Sequence, residues 1–164
     1  MYGSLQEADL YHARMGRTEW ADASSVEREA ALERATTLID AIYGHRFVGV
    51  RASLDQDNEW PRISAHIRGG RILPSDSVPK QVINATYEIA YIEVSEPGSI
   101  SDVMSAPGPI KRERVDKIET EYAVPASAVA TASAAGVGPV PLVEGLLRAL
   151  LIGDGYDPAV VFVV

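Results

Sequence analysis

Cysteine is absent from the 164 residues, which excludes disulfides, thiolate metal sites and a cysteine nucleophile. Aromatic residues are scarce, at 7% with two Trp and two Phe. Alanine and valine carry much of the 46% hydrophobic fraction, so the core is modest and some apolar residues are available for partners. No apolar stretch approaches the roughly 20 residues that cross a bilayer. The opening residues, MYGSLQEADLY, lack the basic and then apolar runs of a signal peptide. Together these absences predict a soluble, single-domain protein, without a membrane partner, that works in a cell or in something assembled there. Positive charge is also short, with 15 Lys and Arg against 23 Asp and Glu and a net charge of -8. Only Lys111, Arg112 and Arg114 cluster, and Glu113 interrupts them. Proteins that hold nucleic acid by its phosphates show a basic patch, so tight nonspecific DNA binding is disfavoured.

What is present reads mainly as helix. LQEADLYHARM (5–15) places Leu5, Ala8, Tyr11 or His12, and Met15 on one face, and Gly16 closes it. Trp20 follows in a polar linker and is expected to pack back as an anchor. In SSVEREAALERATTLIDAIYG, Ser24 and Glu27 form a capping box. Ala31, Ala35, Leu38, Ile39 and Ile42 make the apolar stripe of a helix over about 25–43, with Gly44 as terminator. Glu27, Arg28, Glu29, Glu33 and Arg34 read as a solvated face.

Residues 45–75 read as irregular, with short extended pieces near Phe47–Val50 and Ile63–Ile67. Within them, DNEWPR sets Trp60 before Pro61, which disfavours helix there. A second strong helix follows Pro79, a residue suited to a first turn. Val82, Ala85 or Thr86, Ile89, and Ile92 or Glu93 recur at helical spacing, and EPGS stops the pattern near residue 96.

After the breaker SAPGP, Ile118, Thr120 and Tyr122 alternate with Glu119 and Glu121, the pattern of a half-buried strand. A lone strand needs a partner, and a neighbouring subunit is the expected one, through Val115, Ile118, Thr120 and Tyr122. Residues 123–141 are small and uncharged, a flexible or extended tether. LVEGLLRALLIG then reads as a short helix, and the chain ends in the apolar run AVVFVV. The expectation is that Leu142, Val143, Leu146, Leu147, Leu150, Leu151, Val160, Val161, Phe162 and Val163 dock on another protein; the alternative is that both segments fold back onto their own core. The expected organisation is therefore a helical core with a late β segment (1–122), a tether (123–141) and a docking segment (142–164). The fold class is mainly α: a small helical bundle with a short β segment and an extended C-terminal arm.

Chemistry is sparse. His12, His45 and His66 have no metal-ligand spacing and read as surface or packing residues. HIRGGR is a turn rather than a phosphate loop. Asp55, Asp57 and Glu59 alternate like calcium ligands but lack the glycine and distal glutamate of a calcium loop. No catalytic residue, metal site or cofactor is expected, and an enzyme is not the expected class.

The ordered set YGSLQEADLYHARMG, Trp20, AALERATTLIDAIYGHRFVG, WPR, VPKQVINATYEIA and RVDKIETEY resembles the head-to-tail connector (adaptor) family of tailed bacteriophages, over residues 2 to about 122. Members of that family are often described as DnaT-like single-stranded-DNA-binding proteins. The resemblance implies a helical subunit of the virion neck, assembled in the host cytoplasm. Identical copies, usually twelve, would form a ring under the portal protein, extend the DNA channel and meet a downstream stopper or tail-terminator-type protein. In such a channel the surplus acid suits genomic DNA that passes without tight binding. Trp60 and Pro61, like Trp20, then read as anchors, with Arg62 paired to a nearby acid. The alternative function is a single-stranded-DNA-binding replication accessory, using Tyr87, Tyr91, Tyr122 and the Lys111–Arg114 cluster.

Overall fold

The computed structural model describes residues 1–67, 70–100, 112–115, 118–121 and 140–152. Five helices and two short hairpins are seen among them. Helix α1 spans Leu5–Met15. Ser4 caps it by accepting from the Glu7 amide at 3.3 Å, and Gly16 ends it in the left-handed region at φ 69. The Gly16 and Arg17 amides close the last turn on the Ala13 and His12 carbonyls. Ala8 and His12 are buried, whereas Met15 is 55% exposed and does not join the inner face expected of it. The stretch around Trp20 is a short helix, α2 (Thr18–Asp22), rather than a linker.

Helix α3 runs over Ser25–Tyr43, with both halves of the Ser24–Glu27 capping box formed. Its inner face holds Ala31, Ala35, Leu38 and Ile39, joined by Leu32, Thr36 and Tyr43. Two residues assigned to the solvated face reach other helices. Arg28 pairs with Asp9 of α1 at 2.6 Å, and Arg34 pairs with the buried Glu93 at 2.9 Å. Gly44 ends α3 without turning left-handed; at φ -51 it begins a 3₁₀ turn, Gly44–Arg46. Its lack of a side chain matters for space instead, since a Cβ there would lie 2.8 Å from Glu59 Cγ.

The 45–75 region folds into a hairpin. Strand β1 (Val50–Arg51) pairs antiparallel with β2 (Arg62–Ile63), Val50 opposite Ile63. Gly49 precedes β1 at φ 76, and a Cβ would meet the Ile63 carbonyl oxygen at 2.5 Å, so only glycine fits this approach. At HIRGGR the Ile67 amide donates to the Arg71 carbonyl and the Gly70 amide to the Ile67 carbonyl; residues 68 and 69 lie outside the described residues.

Helix α4 (Lys80–Ser95) packs along α3. Pro79 is its N-cap in extended geometry, one position earlier than a first-turn proline. Val82, Ala85, Thr86, Ile89 and, of the pair Ile92 or Glu93, Glu93 are buried at the predicted spacing, joined by Ala90 and by Glu88, which the spacing did not mark. Glu93 is held by Arg34 and by the Ile100 amide, which donates at 3.1 Å.

Strands β3 (Arg112–Val115) and β4 (Ile118–Glu121) form a second hairpin. The strand expected at 118–121 is therefore not alone. The partner of 118–121 is the charged stretch before it, with Val115 opposite Ile118 and Thr120 opposite Glu113. A two-residue link makes local pairing far cheaper in entropy than pairing with a separate chain. Tyr122 lies outside the described residues, as does the tether up to residue 139.

Helix α5 (Val140–Leu147) returns to the bundle and lies against α4.

Candidate functional site

Three regions were expected to carry function: the C-terminal apolar segment, the aromatic anchors, and the aromatic and basic residues of the nucleic-acid alternative.

The C-terminal segment departs most from expectation. Val143, Leu147 and Leu150 are 1%, 0% and 0% exposed and belong to the core of their own chain. Leu146 and Leu151 are half-buried against it, and Leu142 is 55% exposed. The segment is pinned at several points. The Val48 amide donates to the Leu150 carbonyl at 2.9 Å and the Ile152 amide to the Arg46 carbonyl at 2.7 Å. Leu151 bridges Phe47, and Arg46 pairs with Glu144 at 3.2 Å. Residues 142–152 thus follow the fold-back alternative, and the docking assignment is corrected for Val143, Leu147 and Leu150. The physical reason is proximity: apolar residues at 143, 147 and 150 make one helical face, and α4 of the same chain offers it cover at high effective concentration. Val160, Val161, Phe162 and Val163 lie outside the described residues.

The anchors are where the sequence placed them. Trp60 is buried at 2% and packs edge-on to Phe47, with ring centroids 5.6 Å apart; its bond to Pro61 is cis. Its amide donates to the Tyr2 hydroxyl at 3.0 Å, and that hydroxyl donates to Asp40 at 2.5 Å. Burial raises the Asp40 carboxyl above its ordinary range, partly offset by the hydrogen bonds from Tyr2 and the Glu59 amide. Arg62 pairs with Glu59 at 2.5 Å, as expected of it. The same guanidinium also donates to the Val48 carbonyl at 3.1 Å and to the Gly49 carbonyl at 2.8 Å, serving a bend that no ladder satisfies.

Trp20, 1% exposed, leads to a feature the sequence did not reveal. Its indole donates to Asp9 at 2.8 Å, the same carboxylate that receives Arg28. It stacks at 4.2 Å on His12, which is fully buried. Arg17 donates to Glu88 at 2.6 Å, lies 3.2 Å from His12 Nδ1, and sits 4.1 Å over the Tyr91 ring. Tyr11 donates to Glu88 at 2.6 Å; burial and the adjacent carboxylate push its hydroxyl up to about 12. Since guanidinium only donates, Nδ1 accepts and Nε2 carries the proton, with no partner among the described residues. Sequence spacing marks α1 and α4 as helices but not which of their polar residues converge.

The pH dependence of this cluster follows from its burial. Desolvation, helped by Arg17, lowers the His12 pKa from 6.5 to about 4. The unfolded chain therefore binds the proton first, and stability falls as pH drops from 6.5 toward 4. At about 1.4 kcal/mol per unit, His12 alone costs about 2 kcal/mol between pH 6.5 and 5. Urea titrations at both pH values check this: the wild-type loss should exceed that of His12→Leu by that amount.

The nucleic-acid candidates are not assembled into a groove among the described residues. Tyr87 is buried at 2%, and Tyr91 is covered by Arg17 and donates to Glu19 at 3.1 Å. The β3–β4 register sets Arg112 opposite Glu121 and Arg114 opposite Glu119. Lys111 and Tyr122 lie outside the described residues. No cluster of three metal-ligating side chains occurs among the described residues, and no helix there is long and apolar enough to cross a membrane.

The geometry defines a class: a small, mainly helical fold in which helix α5 packs back on α4, with five arginines tied into internal pairs among the described residues. The whole chain, residues 1–164, matches the family described as "Putative DnaT-like ssDNA binding protein", and it belongs to that family. No curated protein and no solved structure matches it.

Proposed function

We propose that the protein works through contacts with other proteins and without catalysis, as a ring-forming subunit of the head-to-tail connector type. Its partners are a portal, its own copies and a downstream neck component, and genomic DNA passes without being gripped. The observation that supports this best is where the cations go. Arg17, Arg28, Arg34, Arg46 and Arg62 each pair with a carboxylate of the same chain. In a chain of net charge -8, those five of the 15 Lys and Arg are held internally and are less available to release counterions from a phosphate backbone. The outer surface instead offers aliphatic side chains such as Val26, Val50, Leu54 and Ile72, 58–95% exposed, a feature of protein-facing surfaces when contiguous.

The second reading is single-stranded-DNA binding, and the family description favours it specifically. That description speaks more directly for nucleic acid than anything in the comparisons speaks for a ring. Under this reading the Lys111–Arg114 cluster and Tyr122 would supply the contacts.

Mixing the protein with purified portal and imaging by electron microscopy separates the two. Rings seated on the narrow end of the portal support the first reading. A protein that leaves the portal bare and co-elutes with oligonucleotide supports the second.

A further inference from the structure

The β1–β2 hairpin presents aliphatic side chains that nothing among the described residues covers. Val50 and Ile63 are directly opposed, share a face, and are 58% and 41% exposed. Leu54, in the loop after β1, is 95% exposed, and Ile72, beyond β2, is 63% exposed. Two features show that this exposure is built into the fold. The loop carrying Leu54 is fixed by Gln56, whose side chain accepts from the Ser53 amide at 2.9 Å. The same side chain donates to the Asn58 and Pro61 carbonyls at 2.6 and 3.1 Å. Leu54 is thus held out on an ordered loop, so contact with a partner costs little ordering entropy. Just past β2, Ser64 takes a left-handed φ of 54, an uncommon conformation for a residue with a side chain. That turn interrupts strand alternation: Ile63 and Ser64 both face solvent, while Ala65 is buried with its backbone against Gly49. Backbone strain that keeps an isoleucine outward points to a binding surface.

Charge identifies the occupant. Pairing fixes the order of residues along the hairpin. The 53–60 loop lies at one end, the Arg51–Arg62 and Val50–Ile63 pairs in the middle, and the His66–Ile72 bridge at the other end. Asp55 and Asp57 are exposed at the loop end, and His66 and Arg71 at the bridge end. The two central arginines are engaged inward, Arg62 with Glu59 and Arg51 with the Gln56 carbonyl. The strip therefore runs from acid through aliphatic to base. A second strip turned end for end sets its bases against the acids of the first and its aliphatic centre against the other centre. A surface that complements its own copy under a two-fold rotation fits the isologous contact of a symmetric dimer.

We propose that the free protein pairs with a second copy of itself through this hairpin face, antiparallel about a two-fold axis near Val50 and Ile63. Arg71 of each copy meets Asp55 and Asp57 of the other, and Leu54 packs toward the Ile72 end of the other copy. The aliphatic contact supplies affinity, and the charges set the register. Few side chains take part, so the interface is small and the copies exchange rapidly. A two-fold contact is complete with two copies, which separates it from the head-to-tail contact that closes a ring. It holds under either functional reading, because it concerns the free protein.

Sedimentation velocity of the full chain, from micromolar to hundreds of micromolar protein, is the test. The wild type should pass from one chain to two, and added salt should weaken the dimer. Leu54→Ser, at a site too exposed to disturb folding, should raise the dissociation constant at least about tenfold. Charge reversal probes the arrangement. Asp55→Lys with Asp57→Lys in one chain, and Arg71→Glu in another, should each abolish self-association, because like charges then meet at both ends. Mixed together, the two variants should dimerise about as well as the wild type, since both ends of the mixed pair are complementary again. Circular dichroism checks that each variant folds. A wild type that stays monomeric throughout overturns the proposal. So does a dimer, or a larger ring, that forms equally well in the Leu54 and charge-reversed variants. Failure of the mixed variants to pair overturns the two-fold arrangement.

Discussion

Replacing Leu147 with alanine lowers the stability of the isolated protein by about 3 kcal/mol, whereas replacing Leu142 changes it by less than about 0.5 kcal/mol. Both residues lie on α5 and look alike in sequence. Leu147 is fully buried in the core and Leu142 is 55% exposed. Truncating Leu147 removes three carbons' worth of contacts and leaves a void that the surrounding helices fill only in part. Urea denaturation followed by the fluorescence of Trp20 and Trp60 measures the difference. Equal stabilities would mean that residues 142–152 are an arm held for partners, as the sequence first suggested, rather than a structural helix.

Arg62→Ala is the second large effect, about 4 kcal/mol. The side chain is 7% exposed and connects Glu59 to the carbonyls of Val48 and Gly49. Removing it leaves the Val48 and Gly49 carbonyls without their donor and the Glu59 carboxylate, 25% exposed, without its partner, and unsatisfied buried polar groups cost more than a made hydrogen bond returns. Arg62→Lys should recover less than half of the loss, because one ammonium cannot span donors that point along a planar fork. Thermal melts of the three proteins by circular dichroism provide the comparison. A melting temperature for Arg62→Ala equal to the wild type's would show that water satisfies these carbonyls.

Elements with strong local signals were legible. The capping box at Ser24 and Glu27, the alanine-rich stripe of α3 and the post-proline start of α4 all specify themselves within a turn or two. The WPR stretch was legible as an anchor because a tryptophan held off helical geometry has little use except packing. What escaped depends on convergence across the fold. Helical spacing allowed Glu93 on the inner stripe but did not mark Glu88, and neither residue's partner, Arg34 or Arg17, is visible in the sequence. His12 looks unremarkable until Trp20 stacks on it. The C-terminal helix was misjudged for the opposite reason: an apolar stripe states that it will be buried but not against which chain. The acidic balance bounded function only coarsely, since composition does not tell whether an arginine is free or paired.

Under the proposed function the protein holds nucleic acid weakly, because five of its arginines are engaged in internal pairs in a chain of net charge -8. Fluorescence anisotropy of a labelled thymine oligonucleotide at physiological salt tests it most directly. A flat titration to tens of micromolar protein is the predicted result. A saturable rise at micromolar protein, weakening steeply with added salt and lost when Lys111, Arg112 and Arg114 are changed to alanine, would contradict it.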